Sequence, residues 1–288
     1  MSTTDTALGA DWLGACRRAV AGLEDVLRRA GGVEGRATET GTRGAGGDRT
    51  LVLDRSAEDV VFAELERLHA DGWSFTACSE ERGEQQFGGT PSGAHAAPVR
   101  VIIDPIDGSL NAKRDASHYA LSVAVADGET MADVAFGFVH DFGAREQWWA
   151  RRGEGAWRDG APLDAALTAR RNRVGKLELV AIESADPRWV CECADALALV
   201  AHRLRALGTI AVTLCEVAAA RYDGMVTLRA SRGVDAAAGQ LIVREAGGWV
   251  SFPDCDEPLG APLDASPSSR VVAARSAEAL HELERVIA

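Results

Sequence analysis

The sequence contains no long hydrophobic run, because no stretch of about 18 consecutive apolar residues occurs anywhere in it. We therefore expect no membrane-spanning helix. The first residues, Met1 to Asp5, contain no basic segment followed by an apolar core, so a secretory signal is not expected either. Together these absences predict a cytoplasmic protein that does not associate with a membrane.

Paired cysteine motifs are also absent, since no CxxC sequence occurs. The six cysteines are Cys16, Cys78, Cys191, Cys193, Cys215 and Cys255. Most of them lie in apolar surroundings, which is typical of buried, reduced thiols in a cytosolic protein. Cys191 and Cys193 lack the second pair of ligands that a structural zinc site needs, so zinc is not favoured.

Positive charge is scarce relative to negative charge. Lys and Arg total 31 residues and Asp and Glu total 43, which gives a net charge of −12. This balance argues against a nucleic-acid backbone or an anionic membrane as the main partner. It permits a phosphorylated small molecule, because bound divalent metals reverse the local sign of the field.

The overall composition is ordinary for a globular protein, with 47% hydrophobic and 26% charged residues. No linker separates two independent domains, and the pattern mixes helices with several antiparallel strands. We expect a single domain over residues 1–288, formed by two intimate halves of about 1–163 and 164–288. The first half is expected to hold the metal-binding residues, and the second to form the substrate side.

Hydrophobic periodicity predicts the individual elements. An amphipathic helix is predicted over 9–29, and a second helix begins after the cap residue Ser56. Between them, the glycine-rich segment Gly31–Asp48 is either a surface linker or an active-site flap. Two further helices are predicted over 194–207 and 210–221. Strands are predicted at 73–78, 99–103, 119–126, 134–139, 146–150, 177–182, 225–228 and 271–274.

One acidic turn carries most of the chemical information. The apolar run that ends at Ile103 predicts a buried strand, and Pro105 forces a turn directly after Asp104. Asp104 and Asp107 are three residues apart, so a turn lets them converge on one point together with the Ile106 carbonyl oxygen. Hard cations such as Mg²⁺ prefer oxygen ligands, and two carboxylates held this closely repel each other without a cation.

The residues that follow are typical of a phosphate cradle. The backbone N–H groups of Gly108 and Ser109 can bind phosphate oxygens, since glycine allows a close approach. The Ser109 hydroxyl can orient an attacking water. Asp-Gly-Ser is also a common turn sequence without any chemical role, so both interpretations stay open for this motif taken alone.

Two acidic positions elsewhere complete the site if their elements pack beside the turn. Glu80 follows a predicted strand, and Asp235 opens a predicted helix. With Asp104 and Asp107 they form a four-carboxylate site for more than one metal ion. In phosphatases, two metal ions about 3.5 to 4 Å apart activate a water and stabilise the leaving oxygen. Taken singly, Glu80 is also typical of a solvated loop, and Asp235 of a residue favoured by the helix dipole.

Three motifs together resemble the signatures of the inositol monophosphatase family, in the same order and with similar separations. They are Ser79-Glu80-Glu81, Asp104-Pro105-Ile106-Asp107-Gly108-Ser109 with Asn111, and Val234-Asp235-Ala236-Ala237-Ala238-Gly239. The resemblance covers about residues 10 to 287. It implies a mixed α+β fold, a layered αβαβα sandwich of the sugar-phosphatase type, and Mg²⁺-dependent hydrolysis of phosphate monoesters.

The resemblance also implies a role for each site residue. The ligands of two or three Mg²⁺ ions are implied to be Glu80, Asp104, the Ile106 carbonyl, Asp107 and Asp235. Glu80 and Ser109 are implied to activate the nucleophilic water, and Asp54 to support the hydroxyl or a further metal. Asp107, Gly108 and Ser109 are implied to contact the substrate. A homodimer is a further expectation from the family.

Two stretches are most similar to the branch of this family that hydrolyses both inositol monophosphate and fructose 1,6-bisphosphate. They are Gly44–Thr50 with the following Asp54, Ala57 and Glu58, and Asn111–Asp115. In that branch two arginines contact the substrate, and Arg205 and Arg229 occupy the matching positions. The chain departs from the family pattern at three positions. They are Ser109 in place of threonine, Val234 in place of tryptophan, and Leu228 in place of an acid that grips inositol hydroxyls.

These observations predict Mg²⁺-dependent hydrolysis of inositol monophosphate or a related sugar phosphate by an activated water. Alternatives within the family are fructose 1,6-bisphosphate, histidinol phosphate or 3′-phosphoadenosine nucleotides as substrates, or a silent sugar-phosphate-binding protein. An aspartate-nucleophile phosphatase is a less similar alternative. Its two acids are separated by one residue, whereas Pro105 and Ile106 both intervene here. The identity of the substrate stays open at this point.

Overall fold

The computed structural model describes residues 6–43, 49–89 and 99–288 of the chain. The helices are α1 (Trp12–Ala30), α2 (Val33–Arg36), α3 (Val52–Ala70), α4 (Ser109–Lys113), α5 (Pro187–Val200), α6 (Ile210–Ala218), α7 (Gly233–Glu245) and α8 (Ala277–Glu284). The first ten strands are β1 (Glu39–Arg43), β2 (Arg49–Leu51), β3 (Phe75–Ser79), β4 (Gly83–Phe87), β5 (Arg100–Asp107), β6 (Ala120–Ala126), β7 (Val134–Asp141), β8 (Glu146–Arg151), β9 (Gly155–Arg158) and β10 (Ala161–Pro162). The others are β11 (Leu177–Glu183), β12 (Ala201–Arg205), β13 (Gly224–Thr227), β14 (Ser231–Arg232), β15 (Trp249–Ser251), β16 (Pro267–Ser269) and β17 (Val272–Ala274).

The larger sheet has eight strands in the order β10-β9-β8-β7-β6-β5-β3-β4. Strands β6 to β10 follow one another as antiparallel neighbours, as the sequence pattern predicts. β3 and β5 instead run parallel, so both end at the same edge of the sheet. Every residue of β6 is buried, because helices cover this sheet on both faces.

Alternate residues of the central strands belong to two different cores. Ile103 of β5 packs in the cluster that includes α1 and α3, whereas Ile102 packs in the cluster that includes α6 and α7. This alternation follows from the two-residue period of a strand. Helix α1 supplies its buried residues at helical spacing, among them Trp12, Cys16 and Leu23.

Helices α6 and α7 form the middle layer of the fold. α7 lies against β5 to β8, and its small residues allow close packing. A Cβ atom on Gly137 of β7 would lie only 2.7 Å from the Ala238 carbonyl oxygen, so glycine is required there. The expected boundary near residue 163 falls between the strands of the two sheets. Since α7 follows this boundary yet covers the first sheet, the halves share one core, and their division stays an interpretation.

The second sheet has five strands in the order β12-β11-β13-β17-β15. Its first three strands run parallel, and β17 and β15 complete it through antiparallel pairs. Helix α8 packs on β13, β15 and β17 on the face away from α6, and α5 contacts β12. The layers are therefore α1/α3, the first sheet, α6/α7, the second sheet and α5/α8. This order confirms the expected αβαβα sandwich and mixed α+β fold.

Two expectations for the first half are wrong. The glycine-rich segment Gly31–Asp48, whose role as linker or flap stays open, is not an irregular loop throughout, because α2 and β1 lie within it and β1 pairs with β2. Residues 44–48 lie outside the described residues. Ser56 does not cap the second helix, since α3 begins before it. Asp54 instead provides the side-chain acceptor at the start of α3. Its carboxylate accepts a hydrogen bond from the Leu51 backbone N–H over 3.1 Å.

One predicted helix in the second half is wrong in its later part. The structure divides the predicted helix over 194–207, because α5 ends at Val200 and the chain continues as β12. β12 pairs in parallel with β11, and this non-local pairing outweighs the local helical periodicity. Arg205 consequently lies on an edge strand rather than on a helix.

Within the described residues, no helix is long and apolar enough to cross a membrane. All six cysteines are free thiols, and Cys16, Cys78 and Cys215 are buried. Burial raises the pKa of the Cys78 thiol, so its thiolate is disfavoured. Only half of the six are thus buried, whereas most were expected to be: Cys193 and Cys255 are partly exposed and Cys191 is exposed.

Candidate active site

The expected turn directly after Asp104 is wrong, because β5 continues through Pro105 to Asp107, so the acidic segment lies within the strand. The register of β5 on β6 shifts between Asp104 and Asp107, so the β5 side accommodates one extra residue. Both carboxylates line the same cavity as a result. The Ile106 N–H donates a hydrogen bond to Asp104 Oδ1 over 3.0 Å, and this bond holds the carboxylate within the acidic segment.

Three elements bring three of the expected carboxylates together. β3 lies next to β5 and parallel to it, so Glu80, which follows β3, lies beside Asp104. Asp235 belongs to the first turn of α7, the helix that packs against β5. One carboxylate oxygen from each residue lies within 4.8 Å of the others, and the three side chains are largely buried.

Burial and mutual repulsion favour a cation at this cluster. Burial raises the pKa of Glu80 to about 7, and the charge of Asp235 acts in the same direction. Burial also raises the pKa of Asp104 well above its ordinary value, and Glu80 and Asp107 add to the shift. Each of the three residues offers a carboxylate oxygen as a ligand atom, and Mg²⁺ prefers such donors. The residues present therefore fit a divalent metal centre.

Asp107 lies beside this cluster but is held by a different helix. Its Oδ2 accepts hydrogen bonds from the Thr209 hydroxyl at 2.5 Å and from the Ala211 N–H at 2.7 Å, where α6 begins. Burial raises the pKa of Asp107 to about 7. Both bonds use Oδ2, so Oδ1 is the atom to consider for a metal ion or substrate. That role stays a prediction.

Gly108 and Ser109 lie where the short helix α4 begins, in the same cavity. Gly108 has a φ of 90°, and a Cβ atom there would lie 3.0 Å from the His118 carbonyl oxygen. Glycine is therefore required both for conformation and for space. The Ser109 hydroxyl donates a hydrogen bond to the Ile106 carbonyl over 3.0 Å. This bond ties the expected phosphate cradle to the acidic segment.

Asp54 approaches the same region from the first turn of α3. Its Oδ1 atom is buried and has no hydrogen-bond partner among the described residues, and burial raises its pKa to about 6. A small cavity of about 10 Å³ is lined by Asp54, Glu80 and Ser109, among others. This volume is about that needed to hold one water. The two residues expected to activate water, Glu80 and Ser109, thus share one water-sized space with Asp54, which is expected to support them.

The two expected substrate arginines lie elsewhere. The main cavity has a volume of about 630 Å³, and neither Arg205 nor Arg229 is among the described residues that line it. Arg205 is exposed on β12. Arg229 lies over the Trp189 ring at 4.7 Å and pairs with Glu192 at 2.6 Å. Their contact with substrate stays a prediction. The central part of the expected Gly44–Thr50 motif lies outside the described residues.

Sequence reasoning missed several residues that the structure places at this site. Arg232 Nη1 lies 2.5 Å from Glu80 Oε1, and Arg232 Nε lies 3.4 Å from Asp235 Oδ1. Thr209 was missed as the residue that positions Asp107. The only sequence signal for Arg232 is its place three residues before Asp235, ahead of a predicted helix.

Glu183 is a further missed carboxylate, which lines the cavity and holds the segment before α6. It accepts hydrogen bonds from the N–H groups of Leu207 and Gly208, both at 3.0 Å, and from the Thr213 hydroxyl at 2.7 Å. We expect Glu183→Ala to lower the free energy of unfolding by about 1–3 kcal/mol, because three donors lose their acceptor and one of them, the Thr213 hydroxyl, is buried. Urea denaturation measures this change. Glu183→Gln keeps one acceptor oxygen and should lose less, so an equal loss in both variants would contradict this role.

The chain is similar to known proteins in sequence and in structure. The model of the inositol monophosphatase family matches residues 12–287. A fructose-1,6-bisphosphatase/inositol-1-monophosphatase from Methanothermobacter thermautotrophicus is 33% identical over 246 residues, which cover 83% of each chain. The Nus factor SuhB of Escherichia coli is 31% identical over 227 residues, which cover 75% of each chain.

A solved structure also has the same fold. It is a crystal structure named inositol monophosphatase-fructose 1,6 bisphosphatase, with a TM-score of 0.78. The match covers 96% of this chain and 100% of that chain at 22% sequence identity. At this identity the likeness shows the fold alone.

Proposed function

Because the chain belongs to the inositol monophosphatase family, we propose that it is a Mg²⁺-dependent phosphatase of a small sugar or cyclitol phosphate. As a member of that family it is a phosphoric monoester hydrolase. One observation carries the finer proposal: oxygens of Glu80, Asp104 and Asp235 lie within 4.8 Å of one another, in a cavity that Gly108 and Ser109 also line. This arrangement pairs a metal site with a phosphate cradle.

In this proposal, two or three Mg²⁺ ions are held by Glu80, Asp104, the Ile106 carbonyl, Asp107 and Asp235. When bound, the ions supply positive charge for phosphate oxygens and lower the pKa of water. The backbone N–H groups of Gly108 and Ser109 bind the phosphate group of the substrate. These N–H groups orient the phosphorus atom of the substrate toward the water-sized cavity beside Asp54.

The hydrogen bond of Ser109 indicates how the attacking water is oriented. Its hydroxyl proton already points to the Ile106 carbonyl, so its oxygen is left to accept a hydrogen bond from the water. Glu80 lines the same small cavity and accepts the proton that the water loses as it attacks. Both protons of the water are then used, so the buried Oδ1 of Asp54 is left to hold a further metal ion. The contacts with Ser109 and Glu80 fix the direction of attack.

The cavity supports a small polyhydroxylated substrate. Its volume of about 630 Å³ lies within the usual range of ligand pockets. Glu183 and Ser184 line it and offer polar groups to sugar hydroxyls. Leu228 is buried where other members have an acid that grips inositol, which favours a sugar phosphate over strict inositol specificity. Fructose 1,6-bisphosphate is the leading alternative, because the Methanothermobacter thermautotrophicus relative is named for both activities.

A substrate panel tests this proposal. Phosphate release is measured with inositol monophosphate, fructose 1,6-bisphosphate, histidinol phosphate and 3′-phosphoadenosine nucleotides, before and after chelation by EDTA. We expect turnover on a sugar or cyclitol phosphate that EDTA abolishes and Mg²⁺ restores. Turnover that survives chelation would contradict the metal requirement. Binding of sugar phosphates without turnover would favour a silent binding protein.

Three further expectations stay predictions. They are a homodimer, a cytoplasmic location and the absence of a nucleic-acid partner. Analytical ultracentrifugation measures the oligomeric state of the purified chain. The last expectation deserves a direct binding assay with RNA, because the Escherichia coli relative is named a Nus factor.

A further inference from the structure

One arginine lies inside the proposed metal site. Among the described residues that line the main cavity, the cationic ones are Lys113 and Arg232. The guanidinium of Arg232 lies 2.5 Å from Glu80 and 3.4 Å from Asp235. It therefore binds two of the three carboxylates that lie within 4.8 Å of one another.

The backbone places Arg232 there. Arg232 ends β14 directly before α7, and its backbone N–H donates to Asp235 Oδ2 over 3.3 Å. The next residue, Gly233, is so closely packed that a Cβ atom would lie 2.4 Å from the Pro262 carbonyl oxygen. The Arg232 side chain is only 21% exposed. A closely packed segment, rather than a mobile loop, thus holds the guanidinium beside the carboxylates.

The charges of this cluster predict competition. Three largely buried carboxylates repel one another unless a cation lies among them, and Arg232 supplies one positive charge. A divalent ion bound to the same oxygens would supply two positive charges and would lie close to the guanidinium. Like charges repel most strongly where water is excluded. A divalent ion at Glu80 and Asp235 is therefore bound against the repulsion of Arg232.

We propose that Arg232 is a built-in counter-ion, which occupies Glu80 and Asp235 until a divalent cation displaces it and so lowers the affinity of the site for Mg²⁺. The inference rests on the metal centre of the proposed function. In the opposite arrangement, Arg232 stays in place and orients both carboxylates as ligands, as groups beside metal ligands often do. The two arrangements predict opposite effects when the charge of Arg232 is removed.

Calorimetric titration of the metal-free, full-length protein with MgCl₂ tests whether removing the charge of Arg232 tightens or weakens Mg²⁺ binding. Arg232→Met removes the charge and keeps much of the apolar volume of the side chain. We expect at least about tenfold tighter binding of Mg²⁺, the ratio that corresponds to 1.4 kcal/mol. Arg244→Met is the matched control, because Arg244 is a half-buried arginine further along α7 that donates to Gln240 over 3.3 Å. It should bind Mg²⁺ like the wild type.

Thermal unfolding of the same proteins gives a second readout. Metal-free Arg232→Met is expected to melt below the wild type, because its carboxylates lack their counter-ion, and Mg²⁺ should close the difference. If Arg232→Met folds only with Mg²⁺, it is purified with the ion, and competition with a fluorescent Mg²⁺ indicator gives the affinity. Unchanged or weaker Mg²⁺ binding by Arg232→Met, with a normal Arg244→Met control, would overturn the inference.

These measurements use no substrate, so they separate the inference from the proposed function. If the wild type binds Mg²⁺ and hydrolyses no phosphate ester, the proposed function fails. Tighter Mg²⁺ binding by Arg232→Met would still support competition between Arg232 and the ion. If the wild type binds no Mg²⁺, both fail.

Discussion

Asp104→Asn is expected to lower phosphate release by at least about 10²- to 10³-fold, the loss typical of removing one preorganised electrostatic group. Asp104 is buried, and Glu80, Asp107 and Asp235 are the charged neighbours that raise its pKa beyond the effect of burial. Asparagine keeps the oxygen that accepts the Ile106 N–H, but it removes the negative charge that attracts a divalent ion. A phosphate-release assay with Mg²⁺ measures the loss.

The Asp104→Asn variant should remain folded, and without metal it should be more stable than the wild type. A neutral amide removes repulsion among buried carboxylates. Asp223→Asn is the matched control, because Asp223 is a buried aspartate outside the described cavity lining. It accepts bonds from the Arg170 and Leu179 N–H groups at 2.7 and 2.9 Å, so its variant should lose stability and keep turnover per folded molecule. Undiminished turnover in Asp104→Asn would falsify the metal-site assignment.

The second large expected effect couples pH to Mg²⁺. Burial raises the pKa of Glu80 from 4.5 to about 7 and that of Asp107 from 3.8 to about 7. A carboxyl group with a raised folded-state pKa stabilises the fold fully below its unfolded-state pKa, and loses this contribution as pH rises through the folded-state value. The metal-free protein should therefore lose stability between about pH 4 and pH 7. Its thermal midpoint should fall by about 2–4 °C for each kcal/mol lost.

Mg²⁺ is expected to reverse this loss. Protons and metal ions compete for the same carboxylates, so added Mg²⁺ should raise the thermal midpoint more at about pH 8 than at about pH 5. At a concentration 100 times the dissociation constant, the gain is about 2.7 kcal/mol. Differential scanning calorimetry measures the shift, with NaCl at matched ionic strength as the control. Equal shifts at both pH values, or the same shift with NaCl, would show that these carboxylates are not the binding site.

The sequence predicted Glu80, Asp104 and Asp235 as candidate ligands, but it made their proximity depend on how their elements pack. Each residue follows or opens an element whose boundary has a clear local signal, namely a strand end or a helix start. Parallel packing of β3 beside β5 then brings two of the three together. The acidic segment itself is encoded within a few residues, because Pro105 restricts the local backbone and Gly108 allows a conformation that other residues avoid.

Other features of the site depend on contacts between residues far apart in the chain. Thr209 meets Asp107 across more than a hundred residues, and no local pattern marks it as a partner. Arg232 meets Glu80 in the same way. The strand Ala201–Arg205 was predicted as helix because the hydrophobic periodicity of this segment does not indicate that it pairs with β11. In each case the deciding interaction joins separate elements.

The sequence by itself determined the acidic segment and the set of oxygen donors, because backbone restriction by proline and the chemical nature of carboxylates act over a few neighbouring residues. The layered fold followed only from the resemblance to the family. Tertiary structure alone decided which donors meet within 4.8 Å, that Arg232 lies among them, and that Arg205 and Arg229 lie outside the described cavity lining. The reason is physical. Burial and repulsion depend on the distances between charges, and those distances exist only once α7 packs against the first sheet.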